Sequence, residues 1–401
     1  MAELAIVGEF PDEDSLLERV REALTRGMKK INIINGFVVE CNSSVSVLCG
    51  PILGEVTSNS AIVMFEVSGP EQRTPIACNL YKGEDPEATA DSMNFEVRVK
   101  RPISFTFEGL EPDTEYTVVL NGVAKYYAAR RMATFKTKPE HQTTFRLFAL
   151  SCDRPRRLLL GQQNPWKHML RRIKGIDCIL HLGDQIYPDD EDIADADRMF
   201  NKIFDQLSPE KQTKMMLRGR ELWRNKYRGI YSMDAKADCM AKVSNLMIWS
   251  DNDVANDFTT MKNETGDQAY HPSFLQCGMR TYREYQRRLW DPKCSLQVSE
   301  AVEEWHSHVY GPIGIFMFDL RGNRITGEGH QGTTIKHFLN IFCLPFDMNQ
   351  TIVYSRVVDL TFMQYLREKL KSHDRCQRTA CCRTRSGPPW KSSFRTLNCV
   401  P

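Results

Sequence analysis

The chain lacks an excess of charge of either sign: 53 lysines and arginines stand against 51 aspartates and glutamates in 401 residues, a net charge of +2. That balance leaves no electrostatic footprint for nucleic acid or an anionic membrane surface, so neither is expected as a partner. No window approaches the ~20 consecutive apolar residues that a spanning helix needs. The amino terminus, Met1-Ala-Glu-Leu-Ala-Ile-Val-Gly-Glu-Phe10, has neither a basic segment nor a long apolar core, and so does not read as a signal peptide. Paired cysteine spacings are missing as well: the 13 cysteines are odd in number, which argues against a disulfide framework. Together these absences make a cytoplasmic protein the expectation. The Asn-x-Ser/Thr triplets at Asn42, Asn263 and Asn349 then read as chance matches.

What is present is an ordinary globular composition, with 41% hydrophobic residues and length for about two to three domains. Residues 1–45 read as strand, helix, strand, with Ser15 and Glu18 as a capping box ahead of Leu16, Leu17, Val20 and Leu24. Residues 46–140 change to short strands of period two. Ala61, Val63, Phe65 and Val67 would share one face, and Phe95, Val97 and Val99 repeat the pattern, as do Phe105 and Phe107. Leu110-Glu-Pro-Asp-Thr-Glu-Tyr116 resembles the tyrosine-corner strand of fibronectin-III-like all-β sandwiches, in which the tyrosine hydroxyl ties down the corner backbone. From 141 to 371 strands and helices alternate, which argues for a layered α/β domain. Strands are expected at Phe145–Cys152, Asp177–Leu182, Asn245–Trp249 and Gly314–Asp319. Helices are expected around Trp166–Ile173, after Ser208-Pro209-Glu210, at Tyr282–Leu289 and at Asp359–Lys371. Residues 372–401 are basic, cysteine-rich and without periodicity. The spacing of Cys376, Cys381, Cys382 and Cys399 does not match paired zinc knuckles, and a disordered tail is expected.

Chemistry-bearing residues gather where the apolar strands end. Ser151-Cys152-Asp153 follows the first strand and Gly183-Asp184-x-x-Tyr187 the second. Trp249-Ser250-Asp251-Asn252-Asp253-Val-Ala-Asn256-Asp257 follows the third, and Asp319-Leu-Arg321-Gly-Asn-Arg324 the fourth. In open α/β sheets ligands bind at the carboxyl ends of strands. Thiolate, carboxylate and phenolate donors suit a cation there, the phenolate being a hard donor for a trivalent ion, and guanidinium groups suit phosphate. Taken singly, Cys152 reads as a small buried hydrophobe and Arg321 as a surface ion pair. The ordered set argues for a site. His181, inside its strand, reads as packed rather than ligating.

In this order the clusters resemble the alkaline-phosphatase-D-like (PhoD-like) metallophosphatases over roughly residues 50–370. The family patterns are Phe-x-x-Ser-Cys, Gly-Asp-x-Ile-Tyr, Trp-Asp-Asp-His-Asp/Glu-x-x-Asn and Asp-x-Arg-x-x-Arg. The resemblance implies an α/β calcineurin-like metallophosphoesterase domain preceded by the sandwich, and hydrolysis of phosphate mono- or diesters. It implies Fe3+ on Cys152, Asp184 and Tyr187. It also implies a second ion, Ca2+, bridged by Asp184 and held by Asp251. Asn252 and Arg321 fall at the catalytic positions, Arg321 contacting phosphate or supporting the site. In such a site the metals polarise phosphoryl oxygens and supply hydroxide, while an acid such as histidine protonates the leaving group. This chain departs from the pattern. Asn252 stands where the family has histidine, and Ser250 where it has aspartate. No Gly-Asp-x-His motif occurs. The text after Lys371 no longer resembles the family and reads as a shortened product. Two readings follow: a phosphoesterase of weakened or absent turnover, or a non-catalytic relative that binds a phospho-ligand or a protein.

Overall fold

The computed structural model describes residues 3–7, 30–34, 37–124, 132–154, 164–188, 191–255, 270–298, 304–311, 313–322 and 341–343, with residues 18, 20, 21 and 258. The chain divides into two units, Met1–Pro345 and Phe346–Pro401, and all described residues belong to the first. The capping box at Ser15, the helix expected over Asp359–Lys371 and the basic tail lie outside the described residues.

The described part is mixed α/β with several sheets. Strands β1 (Glu3–Val7) and β2 (Lys30–Ile34) pair in parallel, and β3 (Phe37–Glu40) returns antiparallel to β2. Phe37 and Val39 of β3 then bury themselves against Tyr81, Val119 and Met132.

Two antiparallel sheets follow. One has the order β4-β5-β8, from Ser46–Val56, Ser60–Ser68 and Ile103–Glu108. The other has the order β10-β9-β6-β7, from Met132–Lys136, Glu115–Asn121, Arg73–Lys82 and Thr89–Arg98. Their facing side chains make one core. Ala61, Val63, Phe65 and Val67 of β5 enter it together, as the period-two pattern requires, and meet Cys78, Leu80, Val118 and Leu120. Phe95 packs against this core and Phe105 and Phe107 lie within it. The Tyr116 hydroxyl accepts a hydrogen bond from the Glu111 backbone N–H at 3.0 Å, pinning the turn before β9.

The other face of the smaller sheet is buried too. Cys49, Ile52 and Met64 pack against Trp223, Tyr227, Tyr231, Phe274, Tyr285 and Leu289. These aromatics come from helices α3 (Pro209–Tyr231) and α5 (Pro272–Tyr285). At roughly 1.5–3 kcal/mol per fully buried large side chain, this layer holds the sheet and the helices as one body. Ser208 stands at the N-cap of α3, followed by Pro209, without a side-chain cap bond.

Beyond it runs a parallel sheet of order β11-β12-β13, from Leu147–Leu150, Cys178–Leu182 and Ser244–Ile248. Cys178, Ile179 and Leu180 are buried without alternation, as are Leu246, Met247 and Ile248, because both faces of the sheet are covered. Helix α1 (Pro165–Leu170) joins β11 to β12. Helices α2 (Glu191–Ile203), α3 and α4 (Asp234–Met240) lie between β12 and β13. Strands β14 (His306–Tyr310), β15 (Ile313–Met317) and β16 (Ile341–Cys343) form an antiparallel sheet.

One expected boundary is corrected. The helix expected at Tyr282–Leu289 begins ten residues earlier, at Pro272, and stops at Tyr285 before a short 3-10 turn, Arg287–Leu289. The His271 ring starts it by accepting from the Ser273 N–H at 3.2 Å. Gly278 hides this stretch from propensity, but a Cβ there would lie 3.0 Å from both Trp223 and Val254, so close packing overrides the cost of glycine in a helix. Among the described residues, no helix is long and apolar enough to cross a membrane.

Candidate metal and phosphate site

The carboxyl ends of β11, β12 and β13 lie side by side because the three strands pair in consecutive parallel register. The loops after β11 and β12 continue that pairing. The Cys152 N–H donates to the Gly183 carbonyl at 3.3 Å and the Asp153 N–H to the Asp184 carbonyl at 3.0 Å. Cys152 and Asp184 both take left-handed backbone conformations, with φ of 59° and 57°. Such conformations are uncommon outside glycine and cluster at functional sites.

That backbone brings three donors onto one point. The Cys152 thiol lies 3.4 Å from Asp184 Oδ2, and the Tyr187 hydroxyl donates to the same oxygen at 3.2 Å. The other carboxylate oxygen, Asp184 Oδ1, is buried and has no hydrogen-bond partner among the described residues. Burial pushes the Tyr187 phenol well above its ordinary range, with the neighbouring Asp184 charge adding to it. Burial also raises the Cys152 thiol, while hydrogen bonds from Ser151 and Tyr187 work the other way. Both shifts favour the protonated forms, which can donate to Asp184 Oδ2. The Arg154 guanidinium stacks over the Tyr187 ring at 5.0 Å.

The loop after β13 joins through Asp253. Its Oδ2 accepts from the Asp184 N–H at 3.0 Å and the Ser250 N–H at 2.9 Å; its Oδ1 accepts from the Gln185 N–H and the Gln286 side chain, both at 2.8 Å. Burial and the adjacent Asp184 charge push the Asp253 carboxyl up to about 7, against the pull of these donors. Gly183 makes the close approach possible: it sits at φ 91°, and a Cβ there would lie 2.4 Å from the Ser250 Cβ.

Asp251 stands next to this bracket with a different partner. Its Oδ1 accepts from Arg321 Nη2 at 2.7 Å and from the Ser250 hydroxyl at 3.0 Å. Arg321 is placed by a turn in which Asp319 Oδ1 accepts the Arg321 and Gly322 N–H groups at 2.9 and 2.8 Å. Asn252 is buried beside Asp251, and its Oδ1 has no partner among the described residues.

Other residues of the strand-end clusters are structural. Asp153 pairs with Lys236 at 2.6 Å and accepts from the Trp166 indole at 3.1 Å. His181 is fully buried, with its ring nitrogens bonded to Gln185 at 2.8 Å and Asn245 at 3.0 Å, so it is packed and not a ligand. Asn256, Asp257 and Arg324 lie outside the described residues. Among the described residues, no group of three or more His, Cys, Asp and Glu side chains forms a metal cluster. Tyr187 brings a phenol oxygen to the Cys152–Asp184 pair. The sequence reading included Asp253 in its cluster but assigned it no role. Two loops' backbone N–H groups converge on it, and strand patterns carry no signal for that.

A sequence profile described as PhoD-like phosphatase matches residues 147–337. Among curated proteins, none matches the chain. Among solved structures, the chain is similar to a structure of PhoD, at 16% identity and a TM-score of 0.47, covering 69% of this chain and 52% of that one. It is also similar to the fibronectin-III domain of human contactin 1, at 18% identity and a TM-score of 0.17, covering 26% of this chain and 89% of that one. A third is the sensor domain of an anti-sigma factor from Pseudobacteroides cellulosolvens, at 24% identity and a TM-score of 0.19, covering 24% of this chain and 97% of that one.

Proposed function

The chain carries a PhoD-like phosphatase domain at residues 147–337, and on that premise we propose that it binds phosphate esters at the ends of β11–β13 and hydrolyses them slowly. The observation that carries this reading is the meeting of Cys152, Asp184 and Tyr187 around one carboxylate oxygen, on two left-handed strand ends. These three residues fit an iron(III) ion: they offer thiolate, carboxylate and phenolate, and Asp184 Oδ1 is a buried oxygen without a partner among the described residues. Such an ion, when bound, polarises phosphoryl oxygens and lowers the pKa of water. The fit to a second ion, calcium on Asp184 and Asp251, is poorer, because Asp251 is already engaged by Arg321.

The rest of the reaction falls to side chains. Water attacks phosphorus, the ester P–O bond breaks, and a proton must reach the departing alkoxide. Asn252 cannot deliver that proton, since an amide has no readily ionised hydrogen. His181 holds both ring nitrogens on other residues. Loss of a general acid costs ~10²–10⁴ in rate, which is why turnover is slow in this reading. The finer architecture belongs to the same proposal: residues 46–140 are a fibronectin-III-like sandwich, and residues 141–371 carry the calcineurin-like phosphoesterase domain. A cytoplasmic location is part of the same proposal.

A second reading rests on Asn252: the domain binds a phosphorylated ligand without turnover. The test is iron content of the purified protein, together with hydrolysis of an aryl phosphate and a diaryl phosphate, with Asp184→Asn as the control. Iron-dependent hydrolysis that disappears in Asp184→Asn supports the enzyme. Iron and phosphate binding without hydrolysis favours the second reading. Absence of iron from the unmodified protein, with hydrolysis unaffected by Asp184→Asn, rejects the site.

A further inference from the structure

Building on that reading, we infer that Arg321 takes the place of a second cation, so that the site holds one metal ion and presents a guanidinium as its other positive charge to a phosphoryl group. Charge is the first argument. Asp251, the carboxylate that the resemblance offers to a second ion, is held by Arg321 Nη2 at 2.7 Å. Asp253 has both oxygens occupied by four N–H donors. Ser250 offers a neutral hydroxyl, and Asn252 a neutral amide. A divalent ion entering here would meet a pair whose net charge is zero, since a guanidinium does not lose its proton in proteins.

Position is the second argument. The guanidinium is held at two points, by Asp251 and by Ser250, whose Oγ lies 3.3 Å from Nε. Its backbone is held as well. Asp319 caps the Arg321–Gly322 turn, and a Cβ at Gly322 would lie 2.1 Å from Asp319 Oδ2, so a larger residue there would have to displace the capping carboxylate. The pair is mostly but not wholly buried, with the Arg321 side chain 18% and that of Asp251 7% exposed. One edge of the guanidinium is thus fixed by protein; among the described residues no partner is recorded for Nη1, and in this inference the remaining N–H groups go to phosphate oxygens, which guanidinium groups bind in pairs. Ser250 belongs to this arrangement. Its hydroxyl bridges Asp251 and Arg321, whereas a carboxylate at that position would add a charge and draw in a cation.

The experiment measures metal stoichiometry and phosphate affinity together. Purified unmodified protein, Asp184→Asn, Asp251→Asn, Arg321→Ala and Arg321→Lys are analysed for bound iron and calcium by elemental analysis, and inorganic phosphate binding is followed by calorimetry. Circular dichroism checks that each variant folds. The expected result is one metal ion per chain in the unmodified protein and in Asp251→Asn, and none in Asp184→Asn. Arg321→Ala keeps its metal but binds phosphate at least tenfold more weakly, and Arg321→Lys falls between. Two ions per chain, with one lost in Asp251→Asn, would overturn the inference while leaving the phosphoesterase reading intact. Unchanged phosphate affinity in Arg321→Ala would make Arg321 a structural brace and also overturn it. No metal in the unmodified protein would reject both readings.

Discussion

Glu66 of β5 and Arg228 of α3 form a charge pair inside the layer between the smaller antiparallel sheet and the helices, with Oε1 2.6 Å from Nη2. Glu66 is fully buried, Arg228 Nε lies 3.1 Å from both carboxylate oxygens, and the Tyr285 hydroxyl donates to the same group. Removing the cation leaves a carboxylate in an apolar layer with one neutral donor. Arg228→Met is expected to destabilise the protein by ~3–5 kcal/mol in urea unfolding, because a buried charge without its partner is costly. Adding Glu66→Met to it should recover a large part of that loss. If the double variant is no more stable than Arg228→Met, the charge is not the cause.

Acid should unfold this protein in part through His181. Burial, and then the Lys236 charge, lowers its pKa to about 4. In the unfolded chain the imidazole titrates near its ordinary value of ~6.5. Between those values the unfolded state carries the extra proton, so stability is full above pH 6.5 and falls as pH drops toward 4, by up to ~3 kcal/mol from this residue. His306 acts in the same direction, since burial and then His308 hold it well below its usual range. His181→Gln should therefore flatten the stability slope between pH 4 and 6.5 without abolishing it, by ~1.4 kcal/mol per pH unit at most. An unchanged slope would mean that His181 is already protonated in the folded protein.

The parts that could be read from the sequence are those governed by local rules. Alternation placed Ala61, Val63, Phe65 and Val67 on one face, and the Glu111–Tyr116 bond has a local sequence signature. Apolar runs ending in Gly-Asp or Ser-Cys located the strand ends where Cys152, Asp184 and Tyr187 meet. Partners distant along the chain were not readable. Period two cannot say that the second face of β5 is covered, yet Met64 and Glu66 are both buried by helices more than 140 residues away. The ordered clusters put Asp251 and Arg321 in one site, but no local pattern shows that they form an ion pair, because they lie on loops after different sheets. The early start of α5 was hidden by Gly278, whose role is contact with Trp223 and Val254.

Asp253 gives a sharp test of the bracket between the loops. Its two oxygens accept N–H groups from Asp184, Gln185, Ser250 and Gln286. Asp253→Asn replaces one acceptor with an NH2 donor facing two N–H groups, so at least one buried donor loses its partner. A loss of ~2–4 kcal/mol is expected from urea unfolding, at ~1–3 kcal/mol for each group left unsatisfied. Iron affinity should fall with it, because the Asp184 backbone is no longer held. A variant as stable as the parent would show that the bracket is not needed.

Gly183 and Ser250 make the complementary test, by crowding rather than by hydrogen bonding. Gly183→Ala places a methyl group 2.4 Å from the Ser250 Cβ, at a backbone φ of 91° that alanine rarely adopts. Backbone strain alone costs ~1–3 kcal/mol. The clash adds to it and pushes the β12 and β13 loops apart, so a loss beyond that range is expected. Ser250→Gly removes the Cβ that is hit, leaving approaches of 3.0 Å to its nitrogen and 3.2 Å to its Cα. By itself Ser250→Gly also loses the hydroxyl that bridges Asp251 and Arg321, so it too should destabilise. The double variant should nonetheless be more stable than the sum of the two losses by ~1 kcal/mol or more, the coupling expected of residues in direct contact. Urea midpoints of the four proteins give that coupling. Strictly additive losses would mean that the loops can separate freely, and that the contact between Gly183 and Ser250 does not set the spacing of the site.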